Sequence, residues 1–231
     1  MNNYQLYEKN LLFLHHETLF EMIEFEKIGN IPLESTILQD LVGNYKFPRN
    51  KISALEKRGE IIRLKRGFYV VSEKKSHKPV SLELLANHLY GPSYISLETA
   101  LSFYGMIPER VFAVRSMTFK RAKSFETSLG NFDYTTVSLE YFGIGLRQEI
   151  IENQYAFLIA TPTKTVCDMI VATPNLRLQS VRALQTYLFE DLRIDFDIIK
   201  NFDKKIVEQC IKVGKKKGEL ELLLKLLPHS L

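Results

Sequence analysis

Residues 48–71, PRNKISALEKRGEIIRLKRGFYVV, carry two different periodicities in one short run. Pro48 suits the first turn of a helix, where its missing N–H leaves nothing unsatisfied, and Ile52 and Leu55, three apart, mark an apolar face. Gly59 stops that helix after Arg58. Ile62 and Leu64 then alternate with Arg63 and Lys65, Arg66-Gly67 makes a turn, and Phe68 to Val71 returns as a second strand. The stretch predicts a helix followed at once by a two-stranded hairpin.

Upstream, Pro32 restarts the chain and Ser35 is placed to cap a short helix through about Val42, which Gly43-Asn44 ends. Before it, Leu11, Leu14, Leu19, Met22, Ile23 and Phe25 recur in a helical rhythm that closes at Gly29-Asn30. Three helices and a hairpin, in that order, are the elements of a winged helix-turn-helix. Charge follows the same division. Residues 1–43 hold two basic against seven acidic side chains, whereas residues 44–78 hold eleven basic against three acidic.

In a winged helix the third helix enters the major groove and the hairpin lies along neighbouring phosphates. Arg49, Asn50 and Lys51 open that helix with Ser53 beside them, and Arg or Lys toward guanine and Asn toward adenine are base-reading pairs. Lys57 and Arg58 at the helix end, and Arg63, Lys65 and Arg66 on the hairpin, are assigned to the DNA backbone. Two other readings stand beside this one. Edge strands carry Lys and Arg to discourage aggregation, and some winged helices dock a protein instead of DNA.

The run SEKKSHK after Val71 has no apolar periodicity and reads as a linker, which places a domain boundary between residues 78 and 79. Helices are expected at about 81–90 and 97–104, a short strand at 94–96, and strands at about 111–119, 124–127, 132–138, 146–151 and 155–159. Thr161-Pro162 starts a helix to about 171, followed by helices at about 178–192, 197–213 with a break near Asp203, and 219–227. A mainly antiparallel sheet with C-terminal helices makes residues 79–231 an α+β domain behind an N-terminal winged helix-turn-helix of residues 1–78. Arg115, Lys120, Arg121 and Lys123 form a possible second basic patch on or beside those strands. Lys215-Lys216-Lys217, between two glycines, reads as an exposed loop.

At 231 residues, 45% hydrophobic and 25% charged, the chain has the balance of a folded protein of two ordinary domains. No apolar run approaches the ~20 residues that span a bilayer, and no signal peptide is legible, so a cytoplasmic location is expected and no membrane partner. Cys167 and Cys210 are too few for a disulfide framework and read as buried free thiols. Catalytic groups are sparse. Asp195 and Asp197 alternate like a metal-binding carboxylate pair, but no Gly-Ser turn precedes them, and helix capping by Asp197 is the simpler role. His15 and His16 diverge on a helix, and His77, His88 and His229 stand far from either cysteine, so no metal, no cofactor and no enzymatic activity are expected.

Four segments together carry a family resemblance: ISALEKRGEIIRLKRGFYVV at 52–71, YISLETALSFYGMIPE at 94–109, VFAVRSMTFKRAKSFETSLGNFDYTTV at 111–137 and ATPTKTVCDMI at 160–170. Over about residues 48–170 the chain resembles the AbiEi-type antitoxins, regulators of bacterial abortive-infection systems of the type IV toxin-antitoxin class. The resemblance implies a winged helix that binds double-stranded promoter DNA and represses its own operon. It also implies a second domain that opposes a nucleotidyltransferase-like toxin, generally without a stable complex. Pro162, Lys164 and Asp168 match a family helix that commonly reads Pro-Glu-Lys-Ala before apolar residues and an Asp, whereas Thr163 stands in place of the Glu. Without a toxin partner, the same residues would describe a solitary regulator.

Overall fold

A computed structural model describes residues 25, 27–29, 31–43 and 45–228. The first helix expected from Leu11 onward lies outside these residues apart from Phe25 and residues 27–29, as do His15, His16 and His229. The chain is mixed α+β and divides into two compact units, Met1–Leu85 and Ala86–Leu231, with the division falling inside the helix Leu82–Leu89. That is a few residues past the 78/79 boundary read from the sequence.

In the N-terminal unit a two-residue strand β1 (Leu33–Glu34) precedes helices α1 (Ser35–Leu41) and α2 (Pro48–Lys57), and strands β2 (Ile61–Lys65) and β3 (Phe68–Val71) follow. The three strands form one antiparallel sheet in the order β1-β3-β2. Phe25, Leu33, Leu38, Val42, Ile52, Leu55, Ile61 and Val71 make its core, so Ile52 and Leu55 are the buried face of α2 that their spacing predicts. Two expectations change. Ser35 is not a cap but the first helical residue, and its N–H donates to the Gly67 carbonyl at the hairpin tip, 2.8 Å away. The run expected as a linker contains the short helix α3 (Glu73–Ser76), tied down by the buried Ser76 hydroxyl bonding to the Ser72 carbonyl.

The second unit is built on a six-stranded sheet of β4 (Tyr94–Ile95), β5 (Ala113–Thr118), β6 (Lys123–Thr127), β7 (Gly130–Thr136), β8 (Leu146–Ile151) and β9 (Tyr155–Ala160). Its order is β6-β7-β5-β4-β9-β8, with three antiparallel pairings and two parallel ones, β5 with β7 and β4 with β9. Helix α4 (Leu82–Leu89) precedes it, and α5 (Leu97–Phe103) and the single turn α6 (Leu139–Phe142) are inserted between strands. The α6 turn went unread in the sequence; Ser138 caps it by accepting from the Tyr141 N–H. After the sheet come α7 (Pro162–Ala172), α8 (Val181–Gln185), a π-helical turn (Thr186–Asp191), α9 (Phe196–Ile199), α10 (Lys204–Val213) and α11 (Lys217–Leu226). The helix expected to run unbroken over 178–192 is shorter and bulged. Ser180 caps it, and the wider π turn brings Leu184, Tyr187 and Leu188 into the core together.

Helix α7 is the centre of this unit, touching α5, α10, α11 and β9, and every residue from Thr163 to Ile170 is buried. A helix apolar all round would suffice there; this one carries charge. Lys164 and Asp168, both with no exposed side-chain surface, form an ion pair one turn apart, Nζ to Oδ1 at 2.7 Å. Lys164 Nζ also donates to the Tyr94 hydroxyl at 2.9 Å and sits 3.5 Å from the centre of the Tyr141 ring, while the Ser96 hydroxyl donates to Asp168 Oδ2 at 2.7 Å. Each charge is thereby paired and further hydrogen-bonded, which is the condition for keeping it in a dry interior. Both cysteines are free and buried in the same core, as expected. The contact with Cys210, together with burial, pushes the Cys167 thiol up.

Removing one charge strands the other. Lys164→Met is expected to lower stability in chemical denaturation by about 3–5 kcal/mol, and adding Asp168→Leu to recover much of that loss. A double variant no more stable than the single one would show that the pair is not the coupled unit described.

Candidate nucleic-acid interface

The nine residues assigned to DNA separate into three groups. Arg49 and Ser53 from α2 and Arg63 and Arg66 from the hairpin line one concavity of about 490 Å³, completed by Ser35, Gln39, Ile52, Glu56, Gly67 and Tyr69. Three guanidinium groups face a single carboxylate there. Arg49, Arg63 and Arg66 are exposed and form no ion pair with another described residue.

Local backbone geometry decides which bases join. Arg63 pairs with Tyr69 across the hairpin and Lys65 with Phe68, because a bulge between Arg63 and Lys65 adds one residue to β2. In a regular strand Arg63 and Lys65 would point the same way; here they point to opposite faces. Arg63 therefore lies with Tyr69 at the concavity, and Lys65 Nζ instead sits 5.0 Å from the centre of the Phe68 ring. The same bulge corrects the expected alternation: Ile61 and Leu64 are buried and Ile62 is only half-buried. At the tip Gly67 has φ +75°, a left-handed conformation that glycine adopts without strain, and its carbonyl receives the Ser35 N–H. That bond holds Arg66 beside the start of α1.

Other assigned bases are engaged within the protein. Lys51 Nζ donates to the Tyr45 hydroxyl at 2.9 Å and lies 4.1 Å from the centre of its ring, so it braces the α1–α2 connection instead of projecting with Arg49. Arg58 Nε bonds Glu60 Oε1 at 2.5 Å, and Lys75 reaches the other oxygen at 3.1 Å. Asn50 and Lys57 are exposed on α2 outside the concavity lining. The sequence reading missed Ser35, Gln39, Glu56 and Tyr69. Tyr69 was findable in principle, since it alternates with the apolar Phe68 and Val70, but the bulge that pairs it with Arg63 has no signature in the sequence.

The proposed second patch also divides. Arg115 Nη1 is held by both Glu98 carboxylate oxygens at 2.7 Å. Lys120, Arg121 and Lys123 gather about Tyr90: the two ammonium groups lie 5.5 and 5.6 Å from its ring centre, and its hydroxyl donates to the Arg121 carbonyl.

Residues singled out for other chemistry have structural employment. Asp195, not Asp197, caps α9, accepting from the Asp197 N–H at 2.9 Å, and Asp197 pairs with Lys200. Lys216, expected in an exposed loop, is half-buried and donates to the Ile170 and Thr173 carbonyls, closing the C-terminal end of α7; its desolvation draws its pKa down. Thr163, which replaces the Glu of the resembled family, accepts from the Asp203 N–H at 3.0 Å and ties α7 to the start of α10. Among the described residues, no group of three or more His, Cys, Asp and Glu is placed to hold a metal ion, and no helix is long and apolar enough to cross a membrane.

Glu60 supplies a pH test of the hairpin base. Burial alone would raise its carboxyl, but hydrogen bonds from Arg58 and Lys75 outweigh that and hold it below its ordinary value of 4.5. A carboxyl lowered in the folded state adds stability above its unfolded pKa and loses it as pH falls through the folded value. Glu60→Gln is therefore expected to be less stable than the parent at neutral pH, with the gap closing below about pH 4 in denaturation measured across pH. A gap that persists in acid would assign the effect to packing. No protein-family model matches the chain, and no curated protein matches it.

Proposed function

We propose that the N-terminal unit is a winged helix-turn-helix that binds double-stranded DNA, with α2 as recognition helix and the β2–β3 hairpin as wing. The observation that carries this reading is the convergence of Arg49, Ser53, Arg63 and Arg66 on one concavity from two elements that are adjacent in sequence but distinct in structure. A protein keeps such a set of exposed guanidinium groups close together at some electrostatic cost, and a phosphate backbone offsets it. Tyr69, Gln39 and Ser35 add neutral hydrogen-bonding groups at the same place. Arg49 and Ser53, on the exposed side of the first turns of α2, are the base-reading candidates; Arg63 and Arg66 are assigned to phosphates.

The wider role is that of a non-enzymatic transcription regulator acting as the antitoxin of a type IV system, repressing its own operon in the cytoplasm. Its support is the sequence resemblance over about residues 48–170, to which the structure adds that the matching Lys164 and Asp168 are bonded to each other. Under this role a nucleotidyltransferase-like toxin is the functional counterpart.

For the DNA reading, affinity for the chain's own promoter is measured against salt concentration. Replacing Arg63 and Arg66 by alanine is expected to flatten the log-log slope by about 0.9 for each phosphate no longer neutralised, whereas Arg49→Ala is expected to relax sequence preference by about 1–3 kcal/mol. An unchanged slope in the double variant removes the hairpin from the interface. For the antitoxin reading, co-expression with a nucleotidyltransferase-like gene adjacent to its own is expected to restore growth; failure with DNA binding intact would leave a solitary regulator.

A further inference from the structure

The two edges of the six-stranded sheet are finished differently. At one edge, β6 is flanked by Lys120, Arg121 and Lys123, the positive charges that discourage strand addition. At the other, β8 runs LRQEII through six residues in regular register with β9, without a bulge, and Ile150 is 60% exposed. Its only charges, Arg147 and Glu149, cancel and are paired with each other, Nε to Oε2 at 2.9 Å.

The direction of the outward-facing backbone of β8 follows from its neighbour. Gln148 stands opposite Leu158 on β9. Leu158 turns both its main-chain groups away from β8: its N–H donates to Asn87 Oδ1 at 2.5 Å and its carbonyl accepts from Asn87 Nδ2 at 3.3 Å. Gln148 and Leu158 are thus a non-hydrogen-bonded pair, so the N–H and C=O of Gln148 point to the open edge, as do those of Leu146 and Ile150 two residues either side. Among the described residues no backbone group outside the β8–β9 ladder bonds to these three.

We infer that β8 is the site at which a second copy of this chain adds, antiparallel, about a two-fold axis through Gln148. That register is self-complementary at every level. Gln148 lies opposite its own copy and Leu146 opposite Ile150, so the three residues whose polar groups face outward exchange about six main-chain hydrogen bonds. On one side of the extended sheet Leu146 and Ile150 cover each other; on the other, Arg147 of each copy stands opposite Glu149 of its mate, giving a ladder of alternating charge. Shifting the register by one residue sets Arg147 against Ile150 and removes both matches. The interface is one strand wide, and the expected dimer is weak and concentration-dependent. It rests on the backbone and side chains of β8, independently of whether the N-terminal unit binds DNA.

The test is sedimentation of the full chain over a range of concentrations. The parent is expected to pass from monomer to dimer. Arg147→Glu and Glu149→Arg, each checked for folding by circular dichroism, are each expected to stay monomeric, since like charges then face each other. An equal mixture of the two is expected to dimerise again, because every substituted side chain meets an opposite charge. Gln148→Cys places a thiol on the axis at a Cα separation of about 5.5 Å, within disulfide reach, and is expected to cross-link under mild oxidation where Gln154→Cys does not. A parent that stays monomeric with no cross-link above that control would leave the edge to a partner of another sequence and overturn the inference. Dimerisation indifferent to both charge substitutions would overturn it equally.

Discussion

The concavity in the N-terminal unit depends on where the hairpin tip is held. A two-stranded hairpin is marginal in water, and its tip would otherwise move against the helices. Here β3 is sandwiched between β2 and the two-residue β1, and the Ser35 N–H closes on the Gly67 carbonyl. This one hydrogen bond joins the first turn of α1 to the residue next to Arg66. Ser35 would gain nothing by capping, since as first helical residue its own N–H already needs a partner outside the helix. Position, not side-chain chemistry, gives it its role. With the tip fixed, Arg63 and Arg66 meet Arg49 and Ser53 at a set separation, and a ligand bound there need not bear the entropic cost of assembling them.

The second unit uses charge in the opposite manner. Lys164 and Asp168 are withdrawn completely, and the groups that accompany them come from distant parts of the chain: Tyr94 and Ser96 in and next to β4, and Tyr141 in α6. Such a pair adds little net stability over a well-packed apolar one, but it disfavours mispacked arrangements, because a shift of α7 would carry both charges away from the Tyr94 and Ser96 hydroxyls and the Tyr141 ring. Lys216 applies similar chemistry at the other end of the same helix, where its ammonium meets the Ile170 and Thr173 carbonyls. Helix α7 is thereby located along its length as well as across it.

Much of the element order was legible because its signals are local. Pro48, Gly59, Gly67, Gly105 and Thr161-Pro162 each act through the conformation of one or two residues, and each stands at an element boundary in the structure. What escaped are features set by partners far away in sequence. Strand β1 is two residues long and exists only by pairing with β3; the π turn after α8 is shaped by core packing; the bulge at Arg63 and Lys65 is a property of two strands together. The buried pair is the clearest instance. A Lys and an Asp four apart are most simply an exposed helical ion pair, and only the burial of α7 on every side gives them another meaning.

The same distinction governs the basic segment. Eleven basic residues between positions 44 and 78 suggest one diffuse attraction for a polyanion, yet the structure sorts them by what the backbone lets them reach. Lys51 is engaged by Tyr45, Arg58 and Lys75 by Glu60, and Lys65 by Phe68. Arg49, Arg63 and Arg66 are the ones left facing a common space. Guanidinium groups suit phosphate binding better than ammonium groups, since their planar fork matches phosphate oxygens two at a time and gives up less freedom for each bond made. Lysines here serve mainly to fasten the unit to itself, and the arginines not needed for that purpose are gathered where two elements meet. A count of charge along the chain therefore overstates the size of the candidate interface while understating how closely its few members are placed.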